Sequence, residues 1–127
     1  MKREYGVIPV THYRILINGQ THYYTKYEEI GDGYAKVMKN DKWGLLDYKG
    51  NRVCPLAYKS LGDLVHGMMT VFDGYRYGYF SKDTGTVWPC VFEKAFPFEG
   101  DTAKVIYEGK ERTVNKQGKF VDWNKKR

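Results

Sequence analysis

The residues in this chain that carry nucleophilic or metal-binding chemistry are few: Cys54, Cys90, His12, His22 and His66. A cysteine and a histidine brought together, for example Cys54 with His66, would suit nucleophilic catalysis, because the imidazole can take the thiol proton. No local motif supports that pairing. Structural zinc asks for paired C-x-x-C spacings and a zinc hydrolase for H-E-x-x-H, and neither occurs. No glycine loop of the phosphate-cradling kind leads into a helix. Asp47 aligns with Ser81 and Asn115, short polar residues just before turns. Such side chains accept hydrogen bonds from nearby backbone N–H groups, so turn capping is the expected role. The sequence therefore predicts a protein that is not an enzyme, with no catalytic residue, no metal and no cofactor.

A recurring cation is the more suggestive feature. Lys42, Arg76 and Lys110 occupy one position at a constant interval, with Lys36, Lys104 and Arg112 nearby. Interleaved with Trp43, Tyr75 and Tyr77, such a row could hold phosphates and stack bases. The alternative reading is that edge-strand cations discourage sheet-to-sheet aggregation. Formal net charge is +6 and the pI about 9.2, which permits an acidic partner. Yet 15 acidic residues are scattered among 21 basic ones, and the only one-sign cluster is the tail "NKKR", 124–127.

What positions these residues is a repeat. The chain matches itself best at an offset of 34, with Val37, Val71 and Val105 in register and Val53, Val87 and Val121 likewise. Leu46, Phe80 and Val114 keep one position apolar. Gly33 matches Gly67, Gly44 matches Gly78, Pro55 matches Pro89 and Gly50 matches Gly118. Helical hairpin repeats share this period, so content has to decide. "YAKVMK", "TVFDGYRYGYF" and "AKVIYEGKERTV" alternate, are rich in Val, Tyr and Phe, and are broken by glycine-bearing turns, which is β-sheet patterning.

Each copy reads as three strands, in the first copy 34–39, 43–47 and 51–54, the last ended by Pro55. A linker carrying Tyr58 or Phe92 leads onward. A worn copy precedes these, with Gly19, Tyr27, Gly31 and Asp32 standing 31 residues before Gly50, Tyr58, Gly62 and Asp63, and "GVIPV" as its first strand. The expected fold is all-β: an open antiparallel array of about three and a half stacked three-stranded meanders, not a closed propeller. It forms one domain over 1–127, with the worn copy at about 7–32 and full copies at 33–66, 67–100 and 101–123. Ala35, Val37, Leu46, Val53, Met69, Val71, Phe80, Val87, Ala103, Val105, Val114 and Val121 are expected inside.

Trp43-Gly44 breaks a strand pattern with a residue that weakens strands. A glycine leaves a hole that a large neighbouring ring can cover, and it lets the strand bend. The stretch G-x-A-x-V, K-W-G-x-x-D-x-x-G, V-x-P-x-x-Y is carried by Gly33, Ala35, Val37, Lys42, Trp43, Gly44, Asp47, Gly50, Val53, Pro55 and Tyr58. It resembles the bacterial WG repeat. Copy two holds Tyr77-Gly78 at the signature and copy three Glu111-Arg112, so the resemblance spans about residues 28–123. It implies a binding or scaffolding module and carries over no catalytic residues.

The expected function is a non-enzymatic, protein-binding module, an adaptor or an inhibitor of a larger complex. Trp43, Tyr75, Arg76, Tyr77 and Tyr79 are the candidate contacts, since Tyr, Trp and Arg dominate interface hot spots. The alternative is a protein that binds single-stranded or structured nucleic acid through Lys36, Lys42, Arg76, Lys104, Lys110 and Arg112. "MKREYGVIPV" has no apolar signal stretch, and nothing approaches the ~20 apolar residues of a membrane span. Free thiols and a cytoplasmic address, with no membrane partner, are expected. Open sheet edges could also pair with a second copy.

Overall fold

A computed structural model describes residues 13–17 and 19–121. These form strands β1 (Tyr13–Ile17), β2 (Gln20–Tyr24), β3 (Lys26–Gly31), β4 (Tyr34–Lys39), β5 (Lys42–Leu46), β6 (Arg52–Tyr58) and β7 (Ser60–Val65). There follow β8 (Met68–Phe72), β9 (Tyr77–Ser81), β10 (Thr86–Val87), β11 (Lys94–Ala95), β12 (Thr102–Tyr107) and β13 (Lys110–Asn115). Among the described residues there is no helix, and so none that could cross a membrane. "GVIPV", His12, Trp123 and the basic tail lie outside the described residues.

Among the described residues every strand pairing is antiparallel, and no sheet closes on itself. The sheets are β1-β2, β3-β4-β5-β6, β7-β8-β9-β10 and β11-β12-β13. The array is open, as the glycine-punctuated repeats imply. The two middle sheets hold one strand more than the meander read from sequence. β3, β7 and β11 begin at Lys26, Ser60 and Lys94, one period apart, and each opens its sheet. The stretch read as a linker thus ends one sheet and starts the next. β6 also runs on past Pro55, which sits in an irregular stretch of the strand and does not end it.

The core lies between sheets, not within any one of them. Adjacent residues on a strand point to opposite faces, so Leu46 joins Tyr24 and Val37 while Leu45 joins Cys54, Tyr58, Met69, Val71 and Phe80. The next sheet does the same: Met68 and Tyr79 face Phe92, Phe98, Ala103, Val105 and Val114. Sheets buried on both faces need apolar runs in place of strict alternation, which accounts for "GLL", "MM" and "GYF". Burying one side chain of this size stabilises by roughly 1.5–3 kcal/mol, so each unit depends on its neighbours. Tyr34 on β4 meets Phe80 on β9 edge to face at 5.9 Å, one such tie.

Val37, Val71 and Val105 are each fully buried, each facing the preceding sheet. Val53 and Val87 are half-buried at the rim of the middle cluster. Val121, expected inside, is 37% exposed. It follows the isolated Val114–Phe120 bridge, and no further sheet covers it among the described residues. The outer face of the β11–β13 sheet is polar in the same way. Thr102 and Thr113 stand where the preceding sheet has Met68 and Tyr79.

Candidate functional site

The two cysteines are free, and each packs into or against the middle core. Burial pushes the Cys54 thiol up to about 12. Burial, then the negative charge of Asp73, pushes Cys90 up to about 11. Both are protonated at neutral pH and are poor nucleophiles. His66 is exposed in the turn between β7 and β8, with a φ of 53°, and contributes nothing to the Cys54 environment. The Cys54–His66 pair does not form. Among the described residues no group of three His, Cys, Asp or Glu side chains could hold a metal ion.

The candidate contact residues separate by burial. Tyr79 is fully buried, donates its hydroxyl to Phe96 O at 2.6 Å, and meets Trp88, Phe92 and Phe98 edge to face. It is a core residue and cannot touch a partner. Trp43 is half-buried. Tyr77 is half-buried too, stacked on Phe72 at 4.5 Å. Tyr75 is 83% exposed and Arg76 is exposed beside it.

The cationic set is likewise divided. Lys36 is only 8% exposed and donates Nζ to Leu61 O at 3.2 Å, tying the second sheet to the third. That ammonium is not available to a phosphate. Lys104 lies 3.5 Å from Glu111, and the Arg112 guanidinium sits 3.9 Å over the Phe120 ring. Lys42, Arg76 and Lys110 are exposed beside equivalent two-residue hairpin turns. Asp41, Asp73 and Glu108 stand one to three residues before them. The row therefore alternates in sign.

The Trp43-Gly44 stretch has a backbone explanation. β6 pairs with β5 at Leu45↔Cys54 and again at Trp43↔Tyr58, so two steps on β5 face four on β6. The surplus backbone folds over Gly44. A Cβ there would lie 2.8 Å from Cys54 O and 3.1 Å from Pro55 O. Gly78 repeats this, with Trp88 O at 2.8 Å and Pro89 O at 2.9 Å, before Phe92 returns to pair with Tyr77. Backbone fills the hole that a covering ring was expected to fill.

Comparison with known proteins gives one result. The family model described as "WG containing repeat" matches residues 22–43 and 77–110. The first segment ends on Trp43, and the second opens on Tyr77-Gly78 and runs one full period to Lys110. Those two segments carry the WG repeat. No curated protein and no solved structure matches it.

Equivalent residues at or just beyond the ends of β5, β9 and β13 cap the turns that follow. Asp47 Oδ1 accepts from the N–H groups of Lys49 and Asn51, both at 2.9 Å. Asn115 Oδ1 accepts from Gln117 and Lys119 at 3.0 Å. Ser81 Oγ takes a longer bond from Thr84 at 3.5 Å. The acid of the WG signature is thus a turn residue, as expected. Two exposed features went unread. Tyr48 is 77% exposed with the Lys49 ammonium 5.6 Å from its ring, and the Lys59 side chain runs beside Gly74. Lys59 reaches that hairpin only because its N–H donates to Phe72 O at 2.7 Å, a pairing that local pattern does not reveal.

Proposed function

We propose that this WG-repeat protein is a non-enzymatic binding module that contacts another protein, as an adaptor or an inhibitor of a larger complex. The observation that carries this reading is where the reactive groups lie. The thiols are packed in the core and protonated, Asp47 and Asn115 hold turns, and Lys36 joins two sheets. What remains at the strand ends is exposed aromatic surface, Tyr48 and Tyr75. Free thiols are consistent with a reducing compartment, and a cytoplasmic site of action is part of the proposal.

A tagged full-length chain passed through host lysate at about 50 mM salt should retain a protein in stoichiometric amount through gel filtration. Recovery of none would remove the reading's main support. Nucleic-acid binding is the second reading, favoured by the +6 charge and by Lys42, Arg76 and Lys110 at the turns. It requires a gel shift that weakens steeply with salt as counterions are released.

A further inference from the structure

The hairpin tip between β8 and β9 differs from its counterparts in a way the repeat does not require. Equivalent turns hold Asn40-Asp41 and Glu108-Gly109, with positive φ at both residues (54° and 64°; 52° and 78°). The tip between them holds Gly74-Tyr75, with φ of 106° at Gly74 alone, a turn that needs glycine first and leaves the second residue free. An aromatic there has no role in the turn. Tyr75 is the most exposed large apolar side chain among the described residues, at 83%, and its ring meets no other ring there.

Its backbone is nonetheless held. Asp73 Oδ1 accepts from the N–H groups of Tyr75 and Arg76, each at 2.8 Å, and Asp73 N–H donates to Arg76 O at 3.1 Å. Those bonds keep the Asp73 carboxyl below its usual range, so it is ionised and committed to the turn. Arg76 uses one guanidinium nitrogen on Tyr75 O at 3.4 Å, and the Lys59 stem lies 3.9 Å from where a Gly74 Cβ would stand. A ring on a fixed backbone loses little freedom when it is buried by a partner.

We propose that residues 73–76, with Lys59, form the contact point for an acidic segment of a partner protein. Tyr75 is the apolar anchor, and Arg76 and Lys59 are the cations facing carboxylates. This deepens the protein-binding reading and rests on it. A nucleic acid fits the tip less well. Stacking along a strand needs successive rings and an unbroken basic track, whereas the two equivalent turns have no ring and each carries an acid. One anchor flanked by charges is the pattern of a protein hot spot.

The test selects a random phage-displayed peptide library on the folded full-length chain, then measures the enriched synthetic peptides against variants. Enrichment in Asp and Glu around one apolar residue is expected. Tyr75→Ala and Arg76→Glu should each weaken binding by about tenfold or more, and Arg76→Lys by much less. Tyr48→Ala, at the opposite ends of the strands, should bind as wild type does. Unchanged thermal midpoints establish that the variants fold, as expected for exposed tip residues. Peptides that bind Tyr75→Ala as well as wild type would overturn the tip while leaving the protein-binding reading intact. Peptides without acidic bias would overturn the charge assignment. No enrichment at all would count against both.

Discussion

Replacing Gly44 with alanine tests the backbone account of the WG signature. The new Cβ would stand 2.8 Å from Cys54 O, 3.1 Å from Pro55 O and 3.2 Å from Leu56 N, where ordinary contact begins near 3.4 Å. All three atoms are backbone, pinned on either side by the Leu45↔Cys54 and Trp43↔Tyr58 pairings. No side chain can swing aside, so the strand itself must retreat by about half an ångström. Such overpacking costs about 1–3 kcal/mol, offset by about 0.4–1 kcal/mol from stiffening the unfolded chain. Gly44 is not among the positive-φ glycines, so dihedral strain adds nothing. A net loss of about 1–2 kcal/mol is expected, roughly 5–10 °C in thermal midpoint, and Gly78→Ala should behave alike. Urea denaturation followed by circular dichroism gives the value.

The converse substitution separates this account from one based on repeat consensus. Arg112 stands where the signature glycine would be, and its guanidinium covers Phe120 at 3.9 Å. Restoring the consensus as Arg112→Gly should cost about 1 kcal/mol, through a lost cation–ring contact and a looser strand. If Gly44→Ala were neutral, or Arg112→Gly stabilising, the close approach of β6 would not be the reason for the glycine.

Three further outcomes are expected. Asp47→Asn should be nearly neutral, because Asn115 makes the same pair of bonds, whereas Asp47→Ala should cost about 1–2 kcal/mol in denaturant melts. Tyr79→Phe removes the 2.6 Å bond and leaves Phe96 O without that donor, a loss of about 1 kcal/mol, while Tyr79→Ala should cost about 3–5 kcal/mol and report a core position by the same melts. Cys54, Cys90 and Tyr58 have their folded values raised to about 12, 11 and 12, mainly by burial. Their neutral forms favour the native state, so stability should hold below about pH 9 and fall as pH rises toward 11–12. Thiolate absorbance appearing near pH 8.5 in the folded protein would contradict this.

The period was legible because identical register at Val37, Val71 and Val105 reflects identical surroundings, and all three are fully buried. The capping residues were legible for the same reason: Asp47 and Asn115 act on a backbone two to four residues away. The opening strand of each sheet was missed. β7 reads "SLGDLV" and pairs with β8 through a register shift between Leu61 and Leu64, so its alternation is broken. Tyr79 was misjudged because tyrosine type says nothing of burial. Its place is set by Phe92 and Phe98, 13 and 19 residues on, and by Val105 and Val114 of the next sheet. Lys36 misled similarly, its partner being a carbonyl 25 residues on.

The threonines on the outer side of the final sheet bear on how such a chain can change length. A duplicated block inserted between existing units would meet methionine, tyrosine or leucine on the sheet before it and valines on the sheet after it. The same block laid on the outer face of the β11–β13 sheet would press its valines onto Thr102 and Thr113, where the preceding sheet offers Met68 and Tyr79. An added unit therefore stacks better between existing sheets than on this threonine face, and Thr102→Met with Thr113→Tyr would make the face resemble that of the preceding sheet.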